Sequence, residues 1–185
     1  MWLRRELHGL NVNATAGATA RDYFALFQLE PGFSLDEAAL ETAYHSLLSQ
    51  FHPDRYAGQS AVEQRMAAQF CADINSGFRV LANEVTRAEY LLKRAGVDLQ
   101  AAERQGVGSE FLMTQIMLRE QLDDTPVADA AGRQHLIEEI DRHYRTSRDQ
   151  FAKAIATPDL PDAARCWQEM CFLSKLIEAA QPQGD

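Results

Sequence analysis

SLDEAALETAYHSLLSQFHPDRYAGQSAVEQRMAAQFCADINSGFRVL, residues 34–81, decides how this chain folds. Ser34 followed by Glu37 reads as a capping box, in which hydroxyl and carboxylate satisfy orphan backbone donors reciprocally. Leu40, Tyr44, Leu47 and Phe51 then recur at helical spacing. Pro53 must end that helix, because the residue before a proline is pushed out of the α region. A second box, Ser60 and Glu63, opens another helix with an apolar stripe of Met66, Phe70, Ile74, Phe78 and Leu81. Two such helices joined by about eight residues pack antiparallel around a shared core. No alternating strand pattern competes, and the loop between the helices carries His52-Pro53-Asp54 at its start.

Outward from this hairpin the chain stays helical, so the expected fold is all-α. Asp22 is placed to cap a short helix, Tyr23 to Leu29, that stops before Pro31-Gly32, and a further short helix is expected around Val85 to Leu92. Residues 96–108, with Gly96, Gly106 and Gly108, read as a linker. Beyond it, Ser109 caps a helix through Leu122, Thr125-Pro126 is a cap followed by proline at the first helical position, and Pro161 starts the last helix. Leu136, Ile140, Tyr144, Phe151 and Ile155 line one face of the middle helix; Trp167, Met170, Leu173 and Ile177 line one face of the last. Three helices with one stripe each make a bundle. The domain plan is therefore a leader over 1–20, a helical hairpin domain over 21–95, the linker over 96–108 and a three-helix domain over 109–182.

The first helix of the second half carries too much apolar surface for one core. At 100° per residue Phe111, Leu118 and Leu122 fall within about 40° of one another and define the core side. Leu112, Met113, Ile116 and Met117 lie around the other side, with Arg119 and Glu120 on their border. Four large apolar groups on one solvent face call for a cover, either another element or a partner. Phe172 and Leu176 likewise point away from Trp167 in the last helix.

Composition narrows the function classes. The 185 residues are 46% hydrophobic, enough for real cores, and no apolar run approaches the length of a membrane span. With 18 Lys plus Arg against 27 Asp plus Glu, the net charge of -9 offers no basic stripe for a nucleic acid. Cys71, Cys166 and Cys171 form no C-x-x-C pair, which argues against a disulfide framework or a four-thiolate metal site. An enzyme reading would use His52 and Asp54 as an acid and base pair, or with Cys71 or His45 as metal ligands. It finds no glycine-rich phosphate loop, no H-E-x-x-H and no G-x-S-x-G to accompany it. Cys166 and Cys171 as direct cluster ligands are weighed against buried free thiols, the commoner arrangement. No metal and no cofactor are expected.

His52-Pro53-Asp54 stands between Asp22-Tyr23-Phe24-Ala25-Leu26-Phe27 on one side and Ile74-Asn75-Ser76-Gly77-Phe78-Arg79-Val80-Leu81 on the other, and in that setting resembles a J-domain signature. Arg87-Ala88-Glu89-Tyr90-Leu91-Leu92 and the run Phe111-Leu112-Met113 through Glu120, Leu122 and Asp123 narrow the likeness to the HscB family, J-type co-chaperones of iron-sulfur cluster assembly. The likeness covers roughly residues 21–180. It implies a non-enzymatic protein that delivers an IscU-type scaffold to an HscA-type chaperone of the DnaK class and stimulates its ATPase. It also implies chaperone contact through His52, Pro53 and Asp54, and scaffold contact through Leu112, Met113, Ile116, Glu120 and Phe172. A helical adaptor that engages no ATPase is the alternative. Two departures stand out: Glu37 to Phe51 contains no Lys or Arg, where J-domains usually carry several, and Met117 stands where these proteins often have an acidic residue. The lack of C-x-x-C pairs in the amino-terminal stretch, unlike animal mitochondrial relatives, points to a bacterial cytoplasmic setting.

Overall fold

The computed structural model describes residues 22–181, and among them every regular element is a helix. The expected leader over 1–20 lies outside the described residues. In chain order the helices are α1 (Tyr23–Phe27), α2 (Glu37–Phe51), α3 (Ala61–Ala82), α4 (Glu84–Arg94), α5 (Leu99–Gln105), α6 (Ser109–Asp124), α7 (Ala130–Ala156) and α8 (Leu160–Ala180), with one 3₁₀ turn at Pro53–Tyr56. None of them is long and apolar enough to cross a membrane. The chain divides into two compact units, and the break between Arg87 and Ala88 falls inside α4.

The first unit is the helical hairpin. Asp22 caps α1 by accepting from the backbone N–H groups of Phe24 and Ala25 at 3.1 and 3.3 Å. Its rings lie on α3 where Gly77 leaves room: a Cβ there would stand 2.9 Å from Tyr23 Cδ1 and 3.0 Å from Phe27 Cε2. Leu40, Leu47 and Phe51 of α2 face Ala67, Phe70, Ile74 and Leu81 of α3, all buried. Each such side chain is worth roughly 1.5 to 3 kcal/mol of burial. Phe51 meets Phe70 edge-on at 4.5 Å, and Tyr44 stacks on Phe78 at 4.1 Å while its hydroxyl reaches Asn75. Arg87 is also buried; its Nη1 donates to the Leu81 carbonyl at 2.6 Å and its guanidinium lies over the Phe33 ring.

Several expectations need correction. Helix α2 is capped by Asp36, which accepts from the Ala39 N–H, rather than by a Ser34–Glu37 box; Phe33 is buried, and the helix starts two residues later than the box implies. The Ser60–Glu63 box of α3 does form. Met66, expected in the stripe of α3, is 44% exposed. It sits on a turn of α3 that no part of α1 reaches, since α1 is only five residues long and lies against Gly77.

In the second unit, α7 and α8 form a long hairpin closed by Thr157–Asp159, with α6 packed along both and α5 on α8. The core gathers Leu118, Leu122, Leu136, Ile140, Leu173, Leu176 and Ala180, with Phe111, Tyr144, Phe172 and Ile177 half-buried around it. Leu176 is therefore a core residue, not an outward one, because α8 is covered on more than one side. The stretch expected as a linker contains α5, capped by Asp98 and burying Ala102; seven residues with one buried side chain leave too little periodicity to read. Thr125-Pro126 does not open α7. Thr125 Oγ1 donates back to the Gln121 carbonyl of α6 at 2.6 Å, and Asp129 caps α7 instead. Nor does Ser109 cap α6, which has Gly108 at that position and no side-chain cap. At the far end of the bundle Ser147 donates to Glu169 at 2.7 Å, and Arg165 pairs with Glu169 and Asp162, so the buried Glu169 carboxylate has partners on both sides.

Candidate functional site

Two surfaces stand out, one in each unit. The first is the end of the α2–α3 hairpin. His52 takes φ -58° and ψ 131°, the extended conformation that Pro53 imposes on it, and so ends α2 and opens the 3₁₀ turn together. Its Nδ1 accepts the Asp54 N–H at 3.3 Å. The Asp54 carboxylate stands 3.6 Å from the same nitrogen, and the two side chains are 56% and 90% exposed.

Helix α2 has no glycine to close its C-terminus, so its last carbonyls need other donors. Arg55 Nη1 takes the Ser49 carbonyl at 2.9 Å, the Tyr56 hydroxyl takes Gln50 at 3.4 Å, and the buried Cys71 thiol takes Phe51 at 3.0 Å. The Arg55 N–H also closes on the His52 carbonyl at 3.0 Å. These bonds tie the base of the loop to both helices while the imidazole and carboxylate stand free of the core. The part that Arg55, Tyr56 and Cys71 play in closing α2 was not read from the sequence; the signal was the helix end itself, whose carbonyls demand donors.

The pair has the makings of a contact surface rather than of an acid–base site. The groove of about 780 Å³ in this unit runs between Leu26–Leu29 and the Ala39, Ala43, Leu47 flank of α2, and stops at Phe51 without including His52 or Asp54. His45 is exposed on α2 whereas Cys71 is buried beneath Phe51, so they do not form a ligand set. Among the described residues no group of three or more His, Cys, Asp or Glu is placed to hold a metal ion. Burial pushes the Cys166 thiol up to about 12 and the Cys171 thiol to about 11, opposite to the direction of cysteines that serve as thiolates.

The second surface is the outer face of α6. Leu118 and Leu122 point into the core, whereas Leu112, Met113, Ile116 and Met117 are 47, 67, 54 and 41% exposed. Glu120 is exposed beside them, and Arg119 pairs with Asp123 at 3.7 Å. Phe172 is placed differently from the other four expected positions. It lies on α8, half-buried at the edge of the core, with its ring edge-on to Phe111 at 6.1 Å.

Comparison with known proteins bears on both units. Residues 107–181 match the family model described as the HSCB C-terminal oligomerisation domain. A co-chaperone protein HscB homolog of Bordetella avium is 39% identical over 167 residues, which cover 88% of this chain and 99% of that relative. Another from Neisseria meningitidis serogroup A is 37% identical over 158 residues, 83% of this chain and 93% of the relative. The solved structure of chaperone HscB from Vibrio cholerae superposes with a TM-score of 0.76 at 30% identity, covering 86% of this chain and 95% of that one. Human co-chaperone HscB shares the fold at a TM-score of 0.80 and 22% identity, over 90% of this chain and 83% of the other.

Proposed function

The chain belongs to the HscB family of J-type co-chaperones, and on that premise we propose that it brings an IscU-type iron-sulfur scaffold protein to an HscA-type chaperone of the DnaK class and stimulates that chaperone's ATP hydrolysis. It acts as an adaptor in the bacterial cytoplasm, with no catalytic residue and no cofactor of its own. The observation that carries this reading is the exposed His52-Pro53-Asp54 turn anchored from behind by Arg55, Tyr56 and Cys71. An imidazole and a carboxylate held at the end of a helical hairpin fit a polar seam on the chaperone. Contacts there change the chaperone's turnover only if they are better in one of its conformations than in the other.

Scaffold contact is assigned to Leu112, Met113, Ile116 and Glu120 on α6, with Phe172 at the border of the patch. Exposed apolar side chains ringed by charge are the usual composition of a protein-binding surface. Carrying both surfaces in one chain raises the effective concentration of the scaffold at the chaperone, which favours simultaneous engagement without any new contact.

Single-turnover ATP hydrolysis by the chaperone, with this protein and the scaffold added separately and together, tests the reading. Stimulation by this protein and a greater-than-additive rate with both are expected. Scaffold binding with no change in turnover would instead identify a helical adaptor that engages no ATPase.

A further inference from the structure

His52 caps the turn that it opens. It stands at the N-cap position of the Pro53–Tyr56 turn, where Nδ1 accepts the Asp54 N–H at 3.3 Å. The same nitrogen is 3.6 Å from Oδ2 of the Asp54 carboxylate. One ring atom therefore has a donor and an acceptor of a single residue beside it. A lone pair on Nδ1 takes the N–H, whereas a proton on Nδ1 takes the carboxylate, so the two bonds exclude each other. The imidazolium carries a proton on both nitrogens and admits only the second bond. With the side chains 56% and 90% exposed, protons reach the pair from solvent and the carboxylate is free to swing.

The other charged groups at this end have different partners. Arg55 of the turn is bonded through Nη1 to the Ser49 carbonyl, and Glu63 at the start of α3 is held in the Ser60 box. Helix α2 carries no Asp, Glu, Lys or Arg beyond Glu41, and where α3 meets its end the group presented is the Cys71 thiol. Arg65, exposed on α3, and His45, exposed on α2, are the remaining charged or imidazole side chains between Thr42 and Met66. Asp54 is the charged group that the fold sets beside the ring. We propose that His52 and Asp54 form a pH-sensitive switch on the loop. At neutral pH and above, Nδ1 caps the turn and the carboxylate is free; in acid, one proton from solvent moves onto Nδ1, the cap is lost and the carboxylate pairs with the imidazolium. The range is that in which histidine side chains titrate, about pH 5 to 8. This rests on the chaperone reading of the loop and adds its regulation. The capped form, with imidazole and carboxylate both open to a partner, is the one that stimulates the chaperone, so stimulation weakens in acid.

The test has one arm without a partner and one with. NMR of the full-length protein from about pH 8 to pH 5 follows the His52 ring signals, identified by their loss in His52→Gln, together with the Asp54 N–H. Both should titrate with one midpoint, the Asp54 N–H should stop titrating in His52→Gln, and His45→Gln should leave both curves unchanged. In the second arm ATP hydrolysis by the HscA-type chaperone is measured over the same range, alone, with this protein and with the scaffold alone, whose effect reports the chaperone's own titration. The enhancement due to this protein, taken relative to that control, should fall roughly tenfold from about pH 8 to pH 5, with the midpoint found by NMR. An Asp54 N–H that does not follow His52 overturns the switch and leaves the chaperone reading standing. An N–H that follows it while the enhancement stays flat overturns the regulation. No enhancement at any pH overturns the chaperone reading and the regulation built on it.

Discussion

Replacing Leu112, Met113 and Ile116 together by Ala separates a binding face from a core face on one helix. With 47, 67 and 54% of their surfaces open, these side chains have little folding free energy to lose. A partner that covers the open parts gains what burial of those parts is worth. Full burial of such a side chain contributes roughly 1.5 to 3 kcal/mol, so closing these fractions amounts to about 2.5 to 5 kcal/mol for the three, a roughly 60- to 4,000-fold loss of scaffold affinity in the variant. The single losses should not add completely, because adjacent side chains share one pocket. Folding free energy should fall by less than about 1 kcal/mol, as Ala is the best helix former and no cavity opens. Leu118→Ala, on the same helix and fully buried, is the contrast: about 2 to 5 kcal/mol of stability lost through the cavity it leaves. Calorimetric titration of the scaffold and urea unfolding on the same preparations measure both quantities. A triple variant that binds the scaffold within about threefold of wild type, or that loses as much stability as Leu118→Ala, would refute the assignment. Phe172 is unsuited to this comparison, because truncating it also removes the edge contact with Phe111.

His52→Gln should abolish ATPase stimulation and leave scaffold affinity and the unfolding midpoint intact, its effect on stability being about 0.5 kcal/mol or less for a side chain 56% exposed; a large drop in unfolding free energy would mean that the imidazole is structural. Gly77→Ala should cost about 1 to 2 kcal/mol in chemical denaturation, because the overpacking against Tyr23 and Phe27 exceeds the helix propensity gained; a stabilised variant would show that α1 yields. The Cys166 thiol, pushed up to about 12 by burial from an ordinary 9.0, keeps its proton in the folded state where the unfolded chain gives it up. Its contribution is complete below about pH 9 and is lost as pH rises toward 12, at up to about 1.4 kcal/mol per pH unit. Unfolding free energies at pH 8 and pH 10 should therefore fall less steeply for Cys166→Ala than for wild type, and equal slopes would contradict the burial argument.

Much of the site was legible one residue at a time. The Ser60–Glu63 box, the stop imposed by Pro53 and the four-residue spacing in α2 act over a single turn of backbone, so they place His52-Pro53-Asp54 at a hairpin end without any knowledge of the rest. Where two local signals competed, the sequence could not rank them. Ser34 and Asp36 can each begin a helix, and Phe33, buried with its ring under the Arg87 guanidinium, accompanies the later start. Thr125 has a hydroxyl suited to capping α7, yet spends it on the Gln121 carbonyl, while its own carbonyl accepts from Arg133 Nε eight residues on.

The two apolar faces of α6 show the boundary most plainly. Helical periodicity, which depends only on the 100° step between residues, sorted Leu118 and Leu122 from Leu112, Met113, Ile116 and Met117. It assigned Leu176 of α8 to an outward face by the same rule, and there tertiary structure decided otherwise: α5, α6 and α7 all pack on α8, and Leu176 is buried with Leu173 and Ile140. The sequence by itself determined how each helix divides into faces. Which of those faces another helix covers depends on neighbours far along the chain, and so only the fold could leave α6 half bare, enclose α8, and leave Val62 and Met66 uncovered past the end of a five-residue α1.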